Sequence, residues 1–426
     1  MRTTAAPVTG DTLIRNSNFR WLLGGGLVSM LGDQFSMLAL PWLVLSLTGD
    51  SLSLGISVAL MGGPRAVLII LGGTVADRYA PIRVMMISKF ANAAILLILA
   101  TLLLLGQASL PLAYAAALAL GVVSAFGIPS GTAILPQAVP ARFLQQANSL
   151  QMGARQLTLL AGPLLAALVL SSKDAHGQTS INALALAFAI DALTFLLSAW
   201  TLKQVTVNTS RLASATRGMW METKAGLAMV WRDVPLRSCY VYWAVAAFFV
   251  LGPLQVALPV LANERLQGAA ALGVLLGTHG AGTLLGMLAS GMAASWLRRR
   301  FGTVLLLIDA MVGLLLMALG QISASWQAAA LLLLAGALGG YLQVAIFTWI
   351  QRRVLPAMLG RAMALFMAIF LGLAPLSATV TGWLMRYLSV GELFCAGGAL
   401  LLAAAIAAAL FTTIPGIRWP VSDERI

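Results

Sequence analysis

Apolar runs of about twenty residues or more recur along the whole chain, and that recurrence constrains the fold more than any other feature. Each run can cross a hydrocarbon core of roughly 30 Å at about 1.5 Å rise per residue. Twelve spans can be placed, at 21–46, 52–76, 82–105, 112–135, 145–170, 181–202, 237–260, 270–295, 303–320, 327–350, 362–386 and 391–414. With 60% hydrophobic and 9% charged residues, against roughly 25% charged in a soluble domain, no water-soluble core hides this much apolar surface. The runs lack the sustained alternation of a membrane β-barrel, so helices remain as the way to satisfy backbone groups in lipid. The first run, from Trp21, is too long for the apolar region of a signal peptide and reads as a retained helix. The expected fold class is therefore all-α integral membrane, with 12 transmembrane helices.

The formal net charge of +13 would suit a nucleic-acid binder, but the positions of the cations fit membrane topology instead. With the N-terminus inside, 21 of the 26 lysines and arginines fall in inner segments, Lys89 among them, whereas the outer segments hold Lys173, Arg265 and Arg386. Arg65 and Arg155 lie within spans. The expectation is a multi-pass monomer of a bacterial-type cytoplasmic (inner) membrane, both termini cytoplasmic, with the lipid bilayer and not nucleic acid as its surroundings. Cys239 and Cys395 stand alone inside apolar runs, so neither a disulfide framework nor a metal site is expected, and no cofactor is implied.

The longest connection that is not apolar separates spans six and seven. At an offset of 218, Ala39-Leu40-Pro41 falls on Ala257-Leu258-Pro259, Gly55 on Gly273, Gly62 on Gly280 and Gly73 on Gly291. Such internal similarity marks parallel repeats. The chain divides into a six-helix half at 1–202, a linker at 203–236, a second half at 237–414 and a tail at 415–426. The linker carries Trp220, Leu227, Val230 and Trp231 among charged residues, the pattern of an amphipathic helix at the cytoplasmic interface.

Charged residues deep in a span cost several kcal/mol unless they serve a purpose. Asp33 lies twelve residues into span one and Arg65 twelve residues from the inner end of span two, which puts both near mid-membrane. Asp33 is the candidate protonation site and Arg65 its electrostatic partner, the alternative being a fixed structural ion pair. Asp191 and Asp309 are candidate buried hydrogen-bonding groups. Arg155 is a candidate contact for substrate or for Asp33, and Gln34 neighbours Asp33 in the same span. His279 is the histidine that falls within a span; it could join a proton path or simply pack.

At the inner end of span two stands GGTVADRYAPIR, residues 72–83, whose Gly73, Asp77, Arg78 and Arg83 resemble the loop signature of the major facilitator superfamily. The likeness extends through FRWLLGGGLVSMLGDQFSMLALPWLVLSLTG, AFAIDALTFLLSA and GLAMVWRDVPLR, which resemble its macrolide and siderophore exporter branch. The resemblance implies two parallel six-helix halves, a loop latch that favours one conformation, and a cavity lined by helices one, four, seven and ten, the last offering Tyr341, Gln343, Phe347 and Trp349. Arg78 and Arg83 also fit plain positive-inside anchoring. Gly162-Pro163 resembles the Gly-Pro element of proton-driven antiporters, although its flanking glycine pairs are missing here. A kink or close packing would explain it equally. The function implied is secondary transport by alternating access, with proton-coupled efflux of an amphipathic drug, macrolide or siderophore as the small-molecule substrate. Proton-coupled uptake of a small nutrient or metabolite is the alternative. Zinc-protease, nucleophile-elbow and Walker-type motifs do not occur, so enzyme activity is not expected.

Overall fold

A computed structural model describes residues 12–173, 179–206, 228–266, 268–291 and 300–418. Among these residues, twelve helices are long and apolar enough to cross a membrane. They are α1 (Ser17–Thr48), α2 (Ser51–Tyr79), α3 (Pro81–Leu104), α4 (Leu110–Ala138), α5 (Leu144–Leu170), α6 (Ile181–Lys203), α7 (Val234–Arg265), α8 (Ala269–Gly291), α9 (Phe301–Leu319), α10 (Ser325–Arg353), α11 (Pro356–Leu384) and α12 (Val390–Phe411). The twelve spans read from the sequence each fall on one of these helices.

Helix starts follow their caps, since the first N–H groups of a helix have no partner within it. Asn16, Asp50, Ser180, Asp233 and Ser389 each accept a backbone N–H of the turn they precede, and Ser389 with Glu392 completes a capping box. Pro41, Pro64, Pro129, Pro136, Pro163 and Pro375 sit inside helices, each removing one backbone N–H from the ladder. α7 is interrupted by a π-helical turn at Pro253–Ala257.

The helices run alternately up and down. One end of the bundle collects the start of α1 and the ends of α4 and α6, where the Asn18 amide donates to the carbonyls of Ala138 (3.3 Å) and Thr206 (2.9 Å). The start of α9 meets the tail there, Gly302 N–H donating to the Ile417 carbonyl at 3.0 Å. This is called the terminal end. At the far end Arg265 donates to the Gly320 carbonyl (3.0 Å).

Packing follows the two-half fold. α1 packs on α2, α4, α5 and α6, while α3 packs on α4 and α6. In the second half α8 packs on α10, α9 on α12 and α7 on α11. A Cβ added at Gly286 would lie 1.8 Å from the Ala337 carbonyl, so α8 and α10 touch backbone to backbone, as small residues allow in membranes. An aromatic cluster fills the second half, with Trp349 stacked on Phe301 (5.4 Å, 7°) and edge-on to Trp243 (6.1 Å). The interfacial linker helix lies mostly outside the described residues, which begin again with helical 228–232.

Candidate functional site

The two halves touch along two helix pairs. On one side α2 meets α11: a Cβ at Gly55 would lie 2.6 Å from the Ala378 carbonyl, and one at Gly62 would lie 2.9 Å from Pro375 Cγ. On the other α8 meets α5: a Cβ at Gly273 would lie 2.5 Å from the Pro163 carbonyl, and one at Gly280 would lie 2.6 Å from the Leu159 carbonyl. These four glycines are two of the three glycine pairs related by the 218-residue offset, so the repeat places equivalent residues at the two crossings. Nearer the terminal end the glycines turn back into their own halves, Gly72 onto Ala125 of α4 and Gly286 onto α10. Along α5, Ser149, Met152 and Arg155 are exposed. The space between the halves is therefore closed at the far end and open toward the terminal end.

Asp50 and Arg386 add an ion pair across the closed end at 3.4 Å. Partial burial pushes the Asp50 carboxyl up, but hydrogen bonds from the Ser53 hydroxyl and N–H, together with Arg386, outweigh it and hold the carboxyl below its ordinary range.

Asp33 stands on α1 near the top of the opening. Gly32 beside it packs against Asp191 and Thr194 of α6, and Gln34 packs against Gly162 of α5. α1 is thus wrapped by its own half on these faces, and the remaining face, with half-buried Asp33 and exposed Met37, borders the opening. Arg65 of α2 and Lys89 of α3 are the two cations in electrostatic reach of Asp33, Lys89 the stronger, and neither stands within ion-pair distance of it. The Arg65 Nε is buried without a hydrogen-bond partner.

Lys89 corrects the sequence reading, which counted it among the inner flanking cations. It lies eight residues into α3 and is buried, its ammonium donating to the Ser29 hydroxyl and standing 5.0 Å over the Phe195 ring. From there it acts on both Asp33 and Asp191. The depth arithmetic that singled out Asp33 would have found it, but its nearness to Arg83 and Arg78 hid it among anchors. Asp191, 1% exposed, accepts from the Ser36 hydroxyl and, at 3.3 Å, from Thr194. Ser29, Gly32 and Ser36 thus hold α3 and α6 against one stripe of α1.

Other candidates are scattered. Gly162 makes room for the Gln34 side chain, 2.2 Å from where its Cβ would be. The missing Cβ of Gly73 faces open space, and the close helix approach falls one residue earlier at Gly72, because successive residues point about 100° apart. The Asp77 side chain lies outside what is described. Arg78 and Arg83 are exposed, and Arg78 stands 5.6 Å over the Tyr79 ring. The turn between them puts Ala80 at φ +66°, a conformation L side chains adopt reluctantly. Asp309 of α9 lies beside the Tyr242 hydroxyl of α7, remote from Asp33 in the other half. His279 is half-buried in α8, its carbonyl accepting from Thr283. On α10, Gln343 is exposed, Tyr341 half-buried, and Phe347 packs edge-on to Phe366 at 5.4 Å.

The sequence profile of the Major Facilitator Superfamily matches residues 22–376. An uncharacterized MFS-type transporter, y4rN of Sinorhizobium fredii (strain NBRC 101917 / NGR234), is 27% identical over 350 residues, covering 81% of this chain and 82% of that protein. Among solved structures, a mutant of the nucleoside transporter NupG superposes with a TM-score of 0.72 at 14% identity, over 92% of this chain and 100% of that one. A bacterial homolog of the human lysosomal transporter Spinster, in an inward-facing and unoccupied conformation, superposes with a TM-score of 0.69 at 13% identity, over 95% of this chain and 97% of that one. At these identities the superpositions speak for the fold.

Proposed function

The chain belongs to the major facilitator superfamily, and from that membership we propose that it is a proton-coupled exporter of bulky amphipathic compounds working by alternating access. The observation that carries the reading is Asp33, a carboxylate deep in the bundle, bordering the open space, with two cations near it but not paired to it. A buried charge held this way is costly and marks an ion pathway. The cation-rich terminal end is cytoplasmic in this proposal, so the described state is inward-open, ready to take cargo from the cell interior or the inner leaflet.

The cycle runs through the glycine crossings. Rocking of residues 1–202 against 237–414 opens the far end by parting α2 from α11 and α5 from α8, and closes the terminal end around GGTVADRYAPIR. Proton uptake at Asp33 on the outside and release inside drives the return. Efflux into inverted membrane vesicles tests the proposal with a panel of macrolides, dyes and siderophores, with and without an uncoupler. Uncoupler-sensitive accumulation supports it, and its absence for every compound sinks it.

Proton-coupled uptake is the second reading. It is favoured by the cations around Asp33: protonating this carboxylate removes a negative charge beside Arg65 and helps an anion bind, which is the linkage of a symporter. In that case accumulation appears in right-side-out vesicles instead.

A further inference from the structure

We infer that the cargo carries a negative charge, and that Arg155 and Arg65 form the site that receives its carboxylate, phosphate or comparable anionic group. The inference rests on the reading of the chain as an alternating-access transporter, whichever its direction, and names the chemistry of its substrate.

Arg65 lies three residues, about 4.5 Å, below the Gly62 crossing, and Arg155 lies four residues, about 6 Å, below the Leu159 crossing. Both therefore sit in the first turn of the opening, at one level, on helices that flank α1. Helical phase points both inward. At 100° per residue, Arg155 falls between Gly162, which packs on α1, and Leu159, which packs on α8. The strongly exposed leucines of this stretch, Leu157 and Leu168, lie on the opposite side of α5. Arg65 likewise falls between the face of α2 that touches α4 and the face that touches α11, away from exposed Val67 and Leu71.

The charges at this level do not balance. Lys89 is committed to Ser29, one turn from Asp33 on α1, and is shared between Asp33 and Asp191. Lys89 and Arg65 thus stand against Asp33 and Asp191, and Arg155 is one cation more than the carboxylates. Arg155 is exposed, and no carboxylate lies within ion-pair distance of it among the described residues. α5, α8, α10 and α11 contain no Asp or Glu, and the acidic residue of α2, Asp77, is twelve positions nearer the terminal end. Arg65 keeps its buried Nε unbonded. Two donor-rich forks under a closed roof, at a level with one cation more than its carboxylates, leave a place for one more anionic group, which a planar guanidinium recognises through two parallel hydrogen bonds.

A matched pair of dyes on one xanthene body tests this with the full chain in neutral-lipid nanodiscs: fluorescein as the anion and rhodamine 123 as the cation, read by equilibrium fluorescence anisotropy. Fluorescein is expected to bind at least tenfold tighter than rhodamine 123. Arg155→Gln is expected to weaken fluorescein about tenfold with an unchanged thermal midpoint, Arg155→Lys to recover part of the loss, and Arg155→Glu to reverse the preference. Equal affinities, no saturable fluorescein binding, or an unchanged affinity in Arg155→Gln would overturn the inference. None of these outcomes touches alternating access, which the vesicle assay reads separately.

Discussion

Gly280→Ala is expected to open the far end without unfolding the protein. The added methyl would lie 2.6 Å from the Leu159 carbonyl and 3.1 Å from the Leu160 Cα, both backbone atoms of a packed helix that cannot step aside by changing a rotamer. Overpacking of this kind costs about 1–3 kcal/mol. Because α5 and α8 part in the alternate state, that cost falls on the far-end-closed state alone. The ratio of open to closed molecules should rise about 5- to 150-fold. Gly286→Ala, whose methyl would lie 1.8 Å from the Ala337 carbonyl inside one half, provides the contrast, since α8 and α10 stay together in both states. Double electron–electron resonance between labels at exposed far-end positions Gln107 and Ser323 measures the opening. A longer distance in Gly280→Ala, and a lower thermal midpoint without that change in Gly286→Ala, is the predicted pattern. If Gly280→Ala leaves the distance distribution unchanged while lowering the thermal midpoint as Gly286→Ala does, the α5–α8 crossing is static packing and the rocking scheme is wrong.

The Asp50–Arg386 pair, with side chains 30% and 50% exposed, contributes about 0.2–1 kcal/mol to closing the far end, so Asp50→Asn should raise the open fraction by no more than about fivefold in the same assay. Since the folded carboxyl titrates below its ordinary value, this contribution is fully present above about pH 4 and is lost only as pH falls further. Far-end distances in the wild type should therefore not respond to pH between 5 and 8 through this pair. Lys89→Met leaves Asp33 and Asp191 without their shared cation, and a loss of about 3–5 kcal/mol is expected from thermal or denaturant unfolding in detergent. Ala80→Gly removes the positive-φ strain after the loop and should stabilise the described state by about 1 kcal/mol, visible as a slightly higher thermal midpoint.

The architecture was legible because lipid leaves so few alternatives. Run length alone located twelve helices, and the offset of 218 picked out Gly55, Gly62, Gly273 and Gly280 before anything was known of where helices cross. Asp33 was legible for the same energetic reason, as a charge with no business in hydrocarbon. Lys89 was not, because a cation eight residues from a basic loop looks like an anchor until its neighbours on α1 and α6 are known. The inner face of Arg155 was also hidden: α5 shows leucines on several sides, and only the contacts of Leu159 and Gly162 tell the lipid side from the opening. Trp349 shows the opposite failure. It reads as a cavity aromatic, yet it is fully buried against Phe301 and Trp243.

The most direct test of proton coupling through α1 compares native protein with Asp33→Asn in liposomes, using any compound that the vesicle panel identifies as cargo. Two quantities are read, exchange of cargo at equal concentrations without a proton gradient, and accumulation driven by an imposed one. Asp33→Asn is predicted to keep exchange and lose accumulation, because the helices still rock but nothing carries the proton. Full gradient-driven accumulation in Asp33→Asn would contradict the account and move the coupling to another group.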